Sequence, residues 1–307
     1  MQVPSTVVMV RPASFGFNPD TANTILFQRE TTDTSRRDVE RRARIEFDIL
    51  AGRLKDTGVD LIIFEDKEEL HTPDAVFPNN WISFHDDGTV VLYPMFAPSR
   101  RPERRRDIIE KLQSSGFVVS RTVDLTHHEN EGRFLEGTGS VVFDHVHRRA
   151  YAGLSPRTSP EVLDELCRTL KYSAITFRAL HEDGHPVYHT DMVMTICERF
   201  VVVCSESIAD VAERKSVIDS LKATGREIIP IDIKQLKQFA GNVLQLQAKN
   251  GSGILAISTS ACLALRPDQR NAIQRHVEIV ESPLPVFESI GGGSARCMMA
   301  DVHLPRR

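Results

Sequence analysis

The sequence is short of whatever marks a membrane protein, a nucleic-acid binder or a disulfide scaffold. No apolar run approaches the roughly 18 residues of a membrane-spanning helix. Neither sign of charge dominates: 38 Lys and Arg stand against 42 Asp and Glu, a net charge of −4. That balance offers no basic field for a phosphate backbone or an anionic lipid surface. Cysteine is sparse and unpaired, at Cys167, Cys197, Cys204, Cys262 and Cys297. An odd set without a CxxC pair argues against a disulfide framework and against zinc-finger spacing. The opening residues MQVPSTVVMVRP lack a basic segment followed by an apolar one, so no export signal is expected. Low-complexity tracts and linkers are missing too. With 41% hydrophobic and 26% charged residues over 307 positions, the expectation is one globular, reduced, cytoplasmic domain.

What the chain does have is a recurring pattern. WISFHDDGTVVLYPM from Trp81 reads as two strands around the turn Asp86-Asp87-Gly88. The plan returns from Ser140, with a turn at Asp144–Arg148, and from Met192, with a turn at Glu198-Arg199. It returns again from Val243, with a turn at Asn250-Gly251, and a single strand starts at Cys297. These starts lie 59, 52, 51 and 54 residues apart, a repeat of pattern rather than of identity.

Between hairpins lies a helix followed by a strand. SPEVLDELCRTLK has Ser159 as N-cap candidate, Pro160 at the first helical position, and Val162, Leu163, Leu166 and Leu170 at helical spacing. RRRDIIEKLQSSG ends at Gly116, where a helix C-terminus favours a left-handed residue. AERKSVIDSLKATG leads to EIIPI, RPDQRNAIQRHV leads to LPVFESI, and VERRARIEFDILAGRLKDTG leads to VDLIIFE. The last hairpin lacks its second strand, and the N-terminal run at about residues 5–12 is the spare strand that completes it. The expected fold is α/β, a pseudo-fivefold, five-bladed propeller of hairpin–helix–strand units. The polar stretch Gln28 to Arg42 reads as its least structured part and a candidate mobile loop.

If the units are equivalent, the residues before each first strand share one end of the fold. There stand Asn79 and Asn80, Glu136, His189 and Asp191, Asn242, and Cys297. A thiol, an imidazole and carboxylates at loops of one rigid scaffold supply a nucleophile, an acid/base and charge partners. Each also has a plain reading: a buried small thiol, a hydrogen-bonded His-x-Asp pair, a turn-capping glutamate, two turn asparagines. The shared register is what favours the catalytic one. Three glycines, Gly291–Gly293, precede Cys297 and read as clearance for a substrate. The other four cysteines read as inert, the arginine-rich run Arg100 to Arg106 as a solvated helix start, and His127-His128 with Glu129 and Glu131 as a metal cluster by composition only.

Four motifs carry a family resemblance: MVRPASFGFN (Met9–Asn18), FPNNW (Phe77–Trp81), HTD (His189–Asp191) and GGGSARCM (Gly291–Met298). Over nearly its whole length the chain resembles the guanidine-modifying penteins, among them arginine deiminases, dimethylarginine hydrolases and amidinotransferases, and within them the citrulline-utilisation hydrolases. The resemblance implies the fivefold α/β propeller and a hydrolase of non-peptide C–N bonds. It places the nucleophile at Cys297, the general acid/base at His189 and the orienting glutamate at Glu136. Asp191 is implied to hold the substrate's terminal nitrogens, with Asn80, Asn79 and Asn242 beside it and Phe77 in the same motif. Arg11 is a candidate for the substrate's α-carboxylate. The chain departs from the pattern at Asn80, where arginine deiminases and dimethylarginine hydrolases carry aspartate.

That departure has a chemical sense. Aspartate only accepts and suits a delocalised cation, whereas asparagine both donates and accepts without charge. Asn80 therefore leans toward a neutral ureido group, as in citrulline, over the guanidinium of arginine. In the implied reaction Cys297, ionised with the help of His189 or of the substrate itself, attacks the planar carbon and ammonia leaves. No metal or organic cofactor is needed, the partner is a small amino acid, and a homo-oligomer is allowed. Two competitors stand beside this: an amidinotransferase that hands the bound group to an amine, and a pentein that binds without catalysis, which would have no need of the thiol.

Overall fold

The computed structural model describes residues 1–22 and 35–307. Among them fifteen strands form five sheets of three. Strand β1 (Thr6–Arg11) runs parallel to β2 (Asp60–Glu65). Strands β3 (Ile82–Phe84) and β4 (Thr89–Leu92) form a hairpin, and β5 (Arg121–Asp124) lies parallel to β4. The same plan is kept by β6 (Val142–Asp144), β7 (Arg149–Gly153) and β8 (Ser173–Phe177). It is kept again by β9 (Met194–Ile196), β10 (Phe200–Val203) and β11 (Glu227–Pro230), and by β12 (Leu244–Gln247), β13 (Gly253–Ser258) and β14 (Glu278–Ser282). Finally β15 (Ala300–Asp301) pairs antiparallel with β1, Val7 facing Asp301. The N-terminal strand thus takes the middle place of the sheet that also holds the last strand, as the spare-strand expectation required.

Each crossover from a middle strand to its parallel neighbour carries one main helix: α1 (Arg36–Asp56), α2 (Asp107–Ser114), α3 (Pro160–Leu170), α4 (Val211–Lys222) and α5 (Pro267–Gln274). Parallel strands need such a crossover, so the repeat follows from the pairing. Ser35 caps α1 by accepting from the Asp38 amide, and Asp210 caps α4 by accepting from Glu213. Ser159 occupies the N-cap position of α3, but its hydroxyl accepts from the Phe134 amide instead.

The sequence VVMV of β1 is apolar at every position because both faces are covered. Val7 and Met9 pack with Phe47, Leu50 and Leu54 of α1, while Val8 and Val10 pack with Trp81 and with Ile108 and Leu112 of α2. One six-residue strand therefore joins two cores, each of its fully buried side chains adding about 1.5–3 kcal/mol.

Three expectations change. The strand expected at LPVFESI lies earlier, at Glu278–Ser282, because Pro283 and Pro285 have no amide to give a ladder, and Phe287–Gly291 coils into a π-helical turn. The last strand begins at Ala300, not Cys297, since amides of Cys297, Met298 and Met299 close a turn onto Ser294, Ala295 and Arg296. Of the supposed loop Gln28 to Arg42, Arg36 onward belongs to α1 and the part before Ser35 lies outside the described residues.

Removing residues 1–11 should abolish cooperative unfolding, followed by circular dichroism on heating. A truncated chain that still melts in one sharp transition would mean that β1 is dispensable.

Candidate active site

The first strands begin about two residues later than their motifs suggest, because a short helical turn precedes several of them. Pro78–Asn80 precedes β3, Gly137–Ser140 precedes β6 and Thr190–Val193 precedes β9. Asn80 lies within the first of these turns, while Glu136 and His189 occupy the N-cap positions of the other two without capping them through their side chains. The turns nest closely: a Cβ on Gly137, itself at φ +48°, would strike the Asn79 carbonyl. A Cβ on Gly139 would come within 2.7 Å of Asn80 Nδ2 and 2.8 Å of His189 Nδ1. The glycines of EGTG are thus what lets the Asn80 and His189 side chains meet over a third unit.

Cys297, 3% exposed, lines one cleft with His189, Asn80 and Phe77. Its Sγ accepts from Asn242 Nδ2 at 3.2 Å and donates to Asp191 Oδ2 at 3.4 Å. Burial and the adjacent Asp191 push the thiol well above its ordinary value near 9. Burial likewise raises Asp191. The resting site therefore holds a protonated thiol, hydrogen-bonded to a carboxylate whose Oδ1 has no partner. An N–H-rich ligand at that oxygen would relieve the repulsion and let the thiol ionise.

From Asp191 a hydrogen-bond relay runs away from the sulfur. Asn79 Nδ2 donates to Asp191 Oδ2 at 3.2 Å, and Asn80 Nδ2 donates to Asn79 Oδ1 at 2.9 Å. Arg100 Nη1 in turn donates to Asn80 Oδ1 at 2.8 Å. Arg100 is held by Glu103 through two bonds of 2.9 Å and lies 3.8 Å from Asp74. Asp74 accepts from Asn18 Nδ2 at 2.7 Å and keeps Oδ1 unpartnered beside the cleft. Burial raises Asp74 as well.

The opposite wall is an ion group. His189 Nε2 meets Glu136 Oε2 at 2.8 Å, and Arg157 Nη1 donates to the same oxygen at 2.9 Å. Burial alone would raise Glu136, but Arg157, His189 and Arg100 outweigh it and hold the carboxyl far below its ordinary range. An ionised Glu136 only accepts, so His189 Nε2 carries the proton of that bond. Arg157 is fully buried, its guanidinium over the rings of Phe96 and Tyr188.

The structure brings together Cys297, His189, Glu136, Asp191, Asn79, Asn80, Asn242 and Phe77. It leaves Arg11 apart: its guanidinium is bound to Asp48 at 2.7 and 2.8 Å and to Glu65, and it does not line the cleft. Arg100 is no solvated helix start but 2% exposed, because three acidic or amide side chains converge on it. Asp74, Arg157 and Tyr188 were not singled out from sequence. Asp74 could have been, since it sits six residues before Asn80 on the same loop. Arg157 and Tyr188 carry no local signal. The glycine triplet also has a packing cause: a Cβ on Gly291 or Gly293 would come within 2.9 Å of the Phe77 ring, and Gly292 adopts φ +71°. The Tyr188 hydroxyl donates to the Gly292 carbonyl and pins the loop.

A family model described as N,N dimethylarginine dimethylhydrolase, eukaryotic, matches residues 11–304. No curated protein matches the sequence. Among solved structures, the product-bound N-terminal domain of ArgZ, a cyanobacterial arginine dihydrolase of the ornithine-ammonia cycle, is 17% identical, with 97% of each chain covered and a TM-score of 0.73. AgrE in complex with ornithine and NAD+ is 18% identical with a TM-score of 0.74; the match covers 98% of this chain and 40% of AgrE. A dimethylarginine dimethylaminohydrolase adduct with S-methyl-L-thiocitrulline is 17% identical over 97% of this chain and 99% of that one, with a TM-score of 0.65. At these identities the likeness is one of fold: the fivefold α/β plan is shared.

The protonated resting thiol has a measurable signature. Alkylation of Cys297 by iodoacetamide, followed by peptide mass spectrometry, should be slow near neutrality and rise about tenfold per pH unit through pH ~9. A rate that is already flat between pH ~7 and ~9 would mean a pre-formed thiolate.

Proposed function

The chain belongs to the N,N-dimethylarginine dimethylhydrolase family, hydrolases of guanidino C–N bonds, and from that premise we propose that it hydrolyses a ureido or guanidino amino acid, citrulline in preference to arginine, through a covalent Cys297 adduct. The observation that carries the preference is the state of Asn80. Arg100 occupies its Oδ1 and one Nδ2 proton goes to Asn79, so what the amide has left for the cleft is an N–H. A ureido group matches this: its C=O accepts from Asn80 while its nitrogens donate to the unpartnered oxygens of Asp191 and Asp74. A guanidinium has no acceptor to offer that N–H.

The steps follow from the geometry. Ligand N–H groups at Asp191 favour transfer of the thiol proton to His189, and Asn242 donates to the sulfur that becomes thiolate. The thiolate attacks the ureido carbon, and His189, steadied by Glu136, passes that proton to the departing nitrogen. Ammonia leaves a thiocarbamate on Cys297. His189 then takes a proton from water, whose oxygen adds to the thiocarbamate carbon as the C–S bond breaks. The carbamate released loses carbon dioxide, so citrulline and water give ornithine, ammonia and carbon dioxide. The same sequence on arginine gives citrulline and ammonia. That ArgZ is an arginine dihydrolase and that AgrE has been captured with ornithine support an amino acid of this class.

Ammonia release should be measured over citrulline, arginine and methylated arginines. Cys297→Ala should lose all turnover, and retained activity would sink the covalent mechanism. Asn80→Asp should lower kcat/KM on citrulline by about 10–100-fold and raise the arginine-to-citrulline ratio. A wild-type protein that consumes arginine and ignores citrulline would overturn the preference while leaving the chemistry standing.

A further inference from the structure

Each first strand enters at the cleft and leaves at its hairpin turn, and a second group of chemistry-bearing side chains gathers at those far ends. His145 follows β6, Asp301 ends β15, and His303 stands two residues beyond. One ligand atom from each lies within 4.8 Å of the others. The His145 and His303 rings are 4.0 Å apart between centroids, and His303 Nε2 meets Asp301 Oδ2 at 3.0 Å. Metal–ligand bonds of about 2.0–2.2 Å put neighbouring ligand atoms about 3 Å apart, so that spacing already suits an ion.

The surroundings are built as a metal's outer ligand partners would be. Tyr172 Oη holds His145 Nδ1 at 2.8 Å and so leaves Nε2 to ligate. Arg296 Nη2 donates to Asp301 Oδ1 at 2.8 Å and so leaves Oδ2. A further buried imidazole, His85, lies 6.4 Å from His145 between ring centroids, and its Nδ1 has no partner. Beside His145 and Asp301 opens a cavity of about 30 Å³ that also touches Gln2, Gln245 and, on its far side, Asp191, room for a coordinated water.

We propose that His145, Asp301 and His303 bind one divalent transition-metal ion, by ligand set Zn²⁺, in a site separate from the catalytic cleft. Two imidazole nitrogens and a carboxylate with one open position suit a borderline-soft cation better than Mg²⁺ or Ca²⁺. The ion takes the place of the proton between His303 Nε2 and Asp301 Oδ2, and the imidazole carries its proton at Nδ1 instead. It ties the β6–β7 turn to the strand that pairs with β1. Through Asp301 it also steadies Arg296, the residue next to Cys297.

The test uses the full chain in a Cys297→Ser background, so that the catalytic thiol cannot compete for metal. After chelation, Zn²⁺ is titrated calorimetrically and Co²⁺ by its visible absorption. One equivalent should bind, with Co²⁺ bands of a four- or five-coordinate site and a rise in melting temperature. His303→Ala should weaken binding by at least about 10–100-fold and remove the thermal shift. Asp301→Asn, which keeps an acceptor for Arg296, should do the same if the alanine variant folds poorly. Replacing His127 and His128 by alanine should leave binding unchanged. No bound equivalent, binding that survives both site variants, or binding lost with His127 and His128 would each overturn the assignment.

Discussion

The site depends on two arginines that never reach solvent. Glu136, Asp74, Glu103 and Asp191 are all nearly or wholly buried; burial pushes each carboxyl up, and of the four only Glu136 is held below its ordinary range by the cations around it. Arg157 answers Glu136 on one wall and Arg100 answers Glu103 and Asp74 on the other. Asp191 is left without a guanidinium of its own, and its carboxylate is what holds the thiol proton in place. The arrangement keeps the Cys297 thiol protonated, and the proposed mechanism assigns its activation to the ligand.

The fivefold plan could be read from the chain because hairpin turns such as Asp86-Asp87-Gly88 and Asn250-Gly251 punctuate alternating apolar runs, and local patterning reports local structure. The strand of residues 6–11 was legible for a related reason: VVMV is apolar on both faces, and a last hairpin without a partner needs it. What misled was context at a distance. LPVFESI has strand-like residues, but two prolines deny it a ladder. The arginine run from Arg100 looks solvated until Asp74, Glu103 and Asn80, brought together by the loop before β3 and the turn after β4, take its first member inside. Nothing near Arg157 announces that it will meet Glu136 across a strand pair. Charge compensation in a core is a three-dimensional property and leaves little trace in sequence order.

The asparagine pair shows how a neutral substitution can be built in. Asn79 and Asn80 pass one donor–acceptor direction from Arg100 to Asp191, and an aspartate at the second place could not donate onward. The amide at residue 80 therefore serves the protein as well as the ligand. The glycine loop before Cys297 is similar: its bare backbone accommodates the Phe77 ring as much as anything that enters the cleft.

The pairing of β1 with Ala300–Asp301 also sets an order of events during folding. Val7 and Asp301 pair across 294 positions of sequence, and closing that contact carries the largest loop cost among the described strand pairs. Until then the apolar faces of β1 stand open, a state prone to aggregation or to chaperone capture. The turn that bears Cys297 lies immediately before β15, so the thiol is seated only when that pairing is made. The pairing that closes the fold is thus also the one that seats the thiol.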